Sequence, residues 1–173
     1  MTSLRERLSP TNVLLAPGVY DALGALMAER AGFEAIYLSG AGIAYTRLGR
    51  PDIGLVDMSE VAATCARIRE RFDLPIIADA DTGYGNAMNV QRTVRGFAQA
   101  GFACAMLEDQ DAPNRCGHTR GVEVVGRAAA LARLQAALDA RDAESDMLIM
   151  ARTDARKTLG IEEAIERGRA FHE

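Results

Sequence analysis

The chain has 173 residues, of which 49% are hydrophobic and 25% charged, with no tryptophan and a formal net charge of −4. Its apolar share is too high for a disordered polymer, and a length near 170 predicts one domain over 1–173 with material for a sizeable core. The acidic balance argues against a general electrostatic grip on nucleic acid.

No apolar run approaches the roughly 20 residues that span a bilayer. Residues 1–10 carry Arg5, Glu6 and Arg7 in place of the apolar stretch of a secretory signal. A soluble, cytoplasmic chain is expected, with neither a membrane nor a nucleic acid as partner. Cys65, Cys104 and Cys116 form no CxxC, and only His118 and His172 accompany them, which argues against a disulfide framework and against a thiolate–imidazole zinc site.

Short apolar runs alternate with helical patterns along the chain. The first run, at 13–16, is followed by a helical stretch over 21–31 that places Leu23, Leu26 and Met27 on one face. The second, at 34–38, opens a long connection over 39–57. A helix is then expected over 58–72, capped by Asp57, with Val61, Ile68 and Phe72 together. The third run, at 75–80, is the most apolar. After it Asn86 would cap a helix over 87–100 that carries Val90, Val94 and Phe97, with Gly101 as its stop. The fourth, at 103–107, leads through a second long connection, 108–126, to a helix over 127–141 with Leu131, Leu134 and Leu138 on one side. The fifth, at 147–151, precedes a last helix over 161–171. The runs lack polar alternation, as do strands buried on both faces of a parallel sheet. The order βαβαβαβαβα predicts a parallel α/β architecture, and both long connections follow the C-terminal end of a strand, where such folds place their chemistry.

Asp79-Ala80-Asp81-Thr82-Gly83-Tyr84-Gly85 closes the third run. Residues two apart on a strand point the same way, so Asp79 and Asp81 would face one pocket. Two close carboxylates repel, and a hard divalent cation is the usual remedy; magnesium takes oxygen ligands and keeps several waters, so one or two carboxylates suffice. The competing reading is that these aspartates only cap a turn and the next helix. Leu107-Glu108-Asp109-Gln110 ends the next strand, so Glu108 or Asp109 would stand beside them, and Asp52 in Gly49-Arg50-Pro51-Asp52-Ile53-Gly54 is a further candidate.

In Asn114-Arg115-Cys116-Gly117-His118, the flanking Arg115 and His118 favour the Cys116 thiolate and poise it for acid–base or nucleophilic work. Against this stands an ordinary loop thiol. Cys65 and Cys104, within a helix and a strand, read as small core residues. Arg152 at the end of the fifth run suits either a bidentate pair with a substrate carboxylate or a structural pair with Asp154 or Glu108. Ser39-Gly40-Ala41-Gly42 offers backbone N–H groups to an anion. Gly40-x-Gly42 also imitates the start of a dinucleotide fingerprint, but Tyr45 stands where the third glycine belongs, and Gly49, Pro51 and Gly54 exclude the helix that should receive a pyrophosphate.

The ordered set Tyr37-Leu38-Ser39-Gly40, Gly49-Arg50-Pro51-Asp52, Asp79-Ala80-Asp81-Thr82-Gly83-Tyr84-Gly85, Glu108-Asp109-Gln110, Arg115-Cys116-Gly117-His118 and Ala151-Arg152-Thr153-Asp154 resembles the isocitrate lyase/phosphoenolpyruvate mutase superfamily. It is most similar to the 2-methylisocitrate lyase and dialkylmalate lyase branch, from about Pro17 onward. The resemblance implies a parallel (β/α)8 TIM-type barrel, Mg²⁺ (or Mn²⁺) as cofactor, homotetramers and a small carboxylic acid as substrate. By position it implies that Asp79 ligates the metal directly while Asp81, Asp52 and Glu108 hold its water shell. Ser39, Gly40 and Ala41 would bind the keto-acid end of the substrate, Tyr37 would line the pocket, and Arg152 would pair with a carboxylate. Cys116 would be the acid–base residue, on a gating loop with Gly117 and His118; His118 and Glu108 complete the implied catalytic set.

The implied reaction is a retro-aldol or retro-Claisen cleavage. Deprotonation of a 2-hydroxyl breaks the adjacent C–C bond, leaving a keto acid such as pyruvate or glyoxylate, and Cys116 protonates the departing carbanion. The branch usually reads Lys-(Lys/Arg)-Cys-Gly-His, and Asn114 stands here in place of the first lysine. Ala41 replaces a common glycine, and Gly126-Arg127-Ala128 lacks the usual Pro-x-Glu helix start. Substrate choice among 2-methylisocitrate, dimethylmalate and oxaloacetate therefore stays open, as do two alternatives. One is carboxyphosphonoenolpyruvate phosphonomutase, or oxaloacetate decarboxylase or hydrolase, chemistry; the other is an inactive fragment. Five βα units do not close an eight-stranded barrel, which takes about 250 residues. The chain is therefore expected to be the truncated N-terminal part of one, aggregation-prone or inactive when isolated.

Overall fold

The computed structural model describes residues 3–11, 13–141 and 146–172; Met1, Thr2 and Glu173, the ends of the expected 1–173 domain, lie outside the described residues. A short helix α1 (Leu4–Arg7) precedes strand β1 (Gly18–Val19) and helix α2 (Ala22–Arg30). Strand β2 (Ile36–Leu38) runs into the helical turn α3 (Gly40–Ile43) and a π-helical turn over Ala44–Leu48. Then follow α4 (Met58–Arg69), β3 (Ile76–Asp79), α5 (Ala87–Ala100), β4 (Cys104–Glu108), α6 (Arg127–Ala140), β5 (Leu148–Arg152), α7 (Ala155–Leu159) and α8 (Ile161–His172). The five strands form one parallel sheet in the order β1-β2-β3-β4-β5, each paired with the next in sequence. This is the parallel α/β arrangement expected, and successive right-handed βα units laid side by side are how a barrel wall is built.

Local chemistry explains the clearest elements. Asn86 accepts from the amides of Met88 and Asn89 at the start of α5, Gly101 (φ 92°) ends that helix, and Asp57 caps α4 in a reciprocal capping box with Glu60. The larger core lies between the sheet and α2, α4, α5 and α6, where Ile36, Leu38, Ile76 and Leu107 meet Val61, Ile68, Val90 and Phe97. A smaller core lies on the other face of the sheet, where Leu4 of α1 packs with Ile77 and Cys104, beside Tyr37 and Leu148. Tyr37, Ile77, Cys104 and Leu148 are register partners across four strands, so they point to one face. Two residues further along come Asp79, Met106 and Met150, and two beyond those the partners Glu108 and Arg152. One sheet face thus passes from apolar to charged toward the C-terminal ends of its strands.

Several expectations are corrected. The run at 13–16 is not a strand: Pro17 has no N–H to donate, pairing with β2 begins at Gly18, and Val13 and Leu15 are exposed. α2 buries Ala25 and Ala28 while Leu23 and Met27 face outward. α6 likewise buries Ala130, Ala136, Ala137 and Ala140 and exposes Leu131 and Leu138. Both helices make their closest approach through small residues; of the expected faces only Leu26 and Leu134 pack against the core, and both are partly buried. The connection 39–57, expected to hold no helix, begins with one. Ser39 Oγ caps it by accepting from the Gly42 amide (3.1 Å), and Gly42 lies so close beneath Tyr20 that a Cβ there would stand 2.8 Å from the ring.

One buried ion pair ties the last helix to the sheet. Arg167 of α8 and Asp109, each 2% exposed, meet at 2.9 Å, and Asp109 also accepts from Thr153 Oγ1 (2.6 Å) and the Asp154 amide (2.9 Å). Removing one partner leaves a buried charge uncompensated. Arg167→Ala is therefore expected to lower stability by about 3–5 kcal/mol, whereas Arg169→Ala, which breaks an exposed pair with Glu166, changes it by less than about 1 kcal/mol. Urea-unfolding midpoints measured side by side check the contrast.

Candidate active site

The charged end of the sheet opens into a cavity of about 250 Å³, lined by Tyr37, Ser39, Ala41, Asp52, Asp79, Asp81, Glu108, residues 114–118 and Arg152. Asp79 sits at the last position of β3 and is 8% exposed; its carboxylate accepts from the Gly40 amide (3.2 Å) and from the Tyr37 hydroxyl. Asp81 faces the same cavity, but strand alternation is not the cause. β3 ends at Asp79, and Asp81 adopts φ 46°, a left-handed conformation that turns the chain back and brings its side chain in. Glu108 ends β4 and is held by Arg152 Nη1 at 3.2 Å. Asn114 bridges two of the acids, its amide nitrogen donating to Asp81 Oδ1 (2.8 Å) and Glu108 Oε1 (3.0 Å).

Burial raises the pKa of all four carboxyl groups, because it penalises the charged form. Asp81 lies well above the usual carboxylate range, with the Asp79 charge adding to the desolvation. Asp52 and Asp79 are raised too, by burial first. Glu108 is pushed up to about 7 by burial, against the opposing pull of Arg152 and Asn114. These are hard oxygen donors short of positive charge. Among the described residues no three His, Cys, Asp or Glu side chains converge tightly enough to enclose an ion directly.

The loop that carries Cys116 lies against this cluster. The Cys116 amide donates to the Asp52 carbonyl (3.1 Å), and Cys116 Sγ lies 3.5 Å from His118 Nδ1. Lys157 Nζ reaches the carbonyls of Gly117 (3.2 Å) and Thr119. A Cβ on Gly117 would stand 2.5 Å from Arg152 Nη2 and 3.2 Å from Asp154 Oδ1, so a side chain there would displace the Arg152 guanidinium. Arg152 keeps two partners of its own, Glu108 and Asp154, the latter at 3.0 Å.

Every residue of the implied site lines the cavity except Gly40, which is buried and gives its amide to Asp79; Asp109, the other candidate at the end of β4, turns away from the cavity to pair with Arg167. The structural pairing of Arg152 offered by the sequence is present with both Asp154 and Glu108. Two contributors were not singled out for a role, Asn114 and Gln110; their only signal in the sequence is proximity to the charged motifs, since neutral amides announce no chemistry.

Residues 4–173 match the family model described as phosphoenolpyruvate phosphomutase. The chain is 48% identical to the 2,3-dimethylmalate lyase of Eubacterium barkeri, over 98% of this chain and 58% of that one. It is 45% identical to the 2-methylisocitrate lyase of Aeropyrum pernix, over 98% of this chain and 54% of the relative. The chain belongs to the phosphoenolpyruvate mutase/isocitrate lyase superfamily. Among solved structures, oxaloacetate acetylhydrolase in complex with 3,3-difluorooxalacetate superposes with a TM-score of 0.93 at 42% identity, over 98% of this chain and 59% of that one. The chain thus spans little more than half the length of the relatives it matches, and its five-stranded sheet corresponds to part of their fold. No helix among the described residues is long and apolar enough to cross a membrane.

The three thiols of this superfamily member differ sharply. Cys65 and Cys104 are buried in the two cores, and burial pushes each thiol up to about 12. Cys116 is only half-buried and lines the cavity. The thiolate is the nucleophile, so at pH 8 the buried pair holds almost none. Iodoacetamide is expected to label Cys116 alone in the native protein and all three cysteines in denaturant. Mass mapping checks this; native labelling of Cys65 or Cys104 would contradict it.

Proposed function

We propose that the intact protein is a Mg²⁺-dependent carbon–carbon lyase that cleaves a 2-hydroxy carboxylate of the 2-methylisocitrate or dialkylmalate type. The products are a keto acid such as pyruvate and a second carboxylate. The observation that supports this reading is the convergence of one thiol with four carboxylates, Asp52, Asp79, Asp81 and Glu108, on a single small cavity. On this reading the chain is the N-terminal part of a (β/α)8 barrel, and the protein is a homotetramer.

The donor set fits a hard cation: it consists of desolvated, mutually repelling oxygens. Asp79 would be the direct ligand, and Asp81, Asp52 and Glu108 would hold the cation through water. Because no three of these groups converge on one point, a cation that keeps several waters suits the site. Mn²⁺ would accept the same donors. When bound, the cation supplies Lewis-acid stabilisation of the charge that develops on the keto-acid oxygen.

The chain's own residues do the rest. Arg152, steadied by Glu108 and Asp154, offers its guanidinium to a substrate carboxylate. Ser39 and Ala41 line the keto-acid end of the cavity, and the Gly40 amide and Tyr37 hydroxyl hold Asp79 in place. As the 2-hydroxyl passes its proton to the Glu108 carboxylate, the electrons of its O–H bond form the carbonyl and the adjacent C–C bond breaks. The electron pair left on the second fragment takes a proton from Cys116 Sγ, and His118, 3.5 Å away, is placed to restore it.

A second reading, hydrolysis of oxaloacetate to oxalate and acetate, draws support from the likeness to oxaloacetate acetylhydrolase. Product analysis separates the two. With Mg²⁺ present, the intact protein is expected to release pyruvate from 2,3-dimethylmalate or 2-methylisocitrate, and Cys116→Ala to lower kcat by roughly a hundredfold to ten-thousandfold. Oxalate from oxaloacetate with no cleavage of the hydroxy acids would replace the lyase reading with the hydrolase one.

A further inference from the structure

Gln110 is 1% exposed and follows directly after the two acids at the end of β4, yet its side chain does not line the cavity. Its backbone is pinned on both sides. It forms an isolated antiparallel bridge with Val124, and its carbonyl accepts from Arg133 Nη1 at 3.1 Å. The side-chain amide then makes three bonds. Oε1 accepts from the Arg115 amide (3.0 Å), while Nε2 donates to the Arg115 carbonyl (2.9 Å) and to Asp154 Oδ2 (2.6 Å). The pair of bonds to Arg115 is what a neighbouring strand would supply, here delivered by a side chain to a loop that has no regular structure at that point.

The two residues it grips lead to two functional groups. Arg115 precedes Cys116. Asp154 is the carboxylate that takes Arg152 Nη2 at 3.0 Å and Nε at 3.2 Å, through Oδ2 and Oδ1. We infer that Gln110 is a positioning residue that sets the Cys116 loop and the Arg152 guanidinium relative to one another. The inference rests on the lyase reading for its functional meaning and on the geometry alone for its placement. The orientation of the amide is determined, because turning it over would set its oxygen against the Arg115 carbonyl and the Asp154 carboxylate. Only an amide satisfies all three partners at once: a carboxylate has two acceptors and no donor, and a thioether has neither a strong donor nor a strong acceptor.

That chemistry selects the variants. Gln110→Glu keeps size and shape but turns two attractive contacts into repulsions, one of them carboxylate against carboxylate. Gln110→Met fills similar space and removes all three bonds. In the intact protein both variants are expected to raise the rate of Cys116 alkylation by iodoacetamide about tenfold or more, the size expected from losing two or three hydrogen bonds that hold a loop. Cys65 and Cys104 should stay unlabelled, which reports that the cores remain formed. Both variants should also lower kcat for keto-acid release, with Gln110→Glu the more severe.

Hydrogen exchange on the unaltered protein decides the matter even if neither variant folds. The Arg115 amide should exchange at least about tenfold more slowly than an unstructured reference, although Arg115 itself is exposed. An Arg115 amide exchanging at the unstructured rate, or wild-type Cys116 alkylation in a folded Gln110→Glu variant, overturns the proposal. A protected Arg115 amide in a protein that releases no keto acid supports the clamp and defeats the lyase reading alone.

Discussion

Asp79, Asp81 and Glu108 are all buried within one cavity, and taking like charges out of water together is the constraint on which the surrounding structure turns. The structure offsets that cost locally, with donors chosen one by one. Asp79 receives the Gly40 amide and the Tyr37 hydroxyl, Glu108 receives Arg152, and Asn114 places its amide between Asp81 and Glu108. These donors leave all four carboxyl groups raised, so the site retains an unmet demand for positive charge. The proposed cation-binding role rests on that imbalance more than on any single motif.

The scaffold explains why the acids stand where they do. Parallel pairing in unbroken order keeps one sheet face continuous, and the register carries it from Tyr37, Ile77, Cys104 and Leu148 up to Glu108 and Arg152. The lower layer, packed beneath Leu4, is apolar; the upper layer carries the charged side chains. Three consecutive residues at the end of β4 then divide the work. Glu108 faces the cavity, Asp109 binds Arg167 of α8, and Gln110 grips the cysteine loop. A site built on strand ends and braced by a buried ion pair is held more closely than one built on loops alone.

The sequence was most legible where one physical effect dominated. Strands β2 to β4 stand out because aliphatic runs buried on both faces leave no polar alternation, and α4 and α5 because Asp57 and Asn86 are strong caps; β5 has the same kind of run but is partly exposed, so burial on both faces was misjudged there. The inner faces of α2 and α6 were read only in part, at Leu26 and Leu134, because periodicity favours large residues, whereas close packing selected Ala25, Ala28, Ala136 and Ala137. The first strand was misplaced because exposure of Val13 and Leu15 is a property of the assembled chain, not of the run itself. Within the site, the carboxylates, Cys116 and Arg152 announced themselves by residue type. The shared direction of Asp79 and Asp81 was read correctly for a wrong reason, since it depends on the left-handed turn at Asp81. Gln110 and Asn114 were invisible as contributors, because an amide acquires meaning only from partners such as Asp154, 44 positions away.

Divalent-cation binding to the intact protein, followed by the loss of the free Mn²⁺ electron paramagnetic resonance signal on titration, tests the central claim most directly. A saturable site that Mg²⁺ displaces, and that Asp79→Asn abolishes while the fold persists, is the predicted result. No saturable binding, or binding unchanged in Asp79→Asn, would contradict the account.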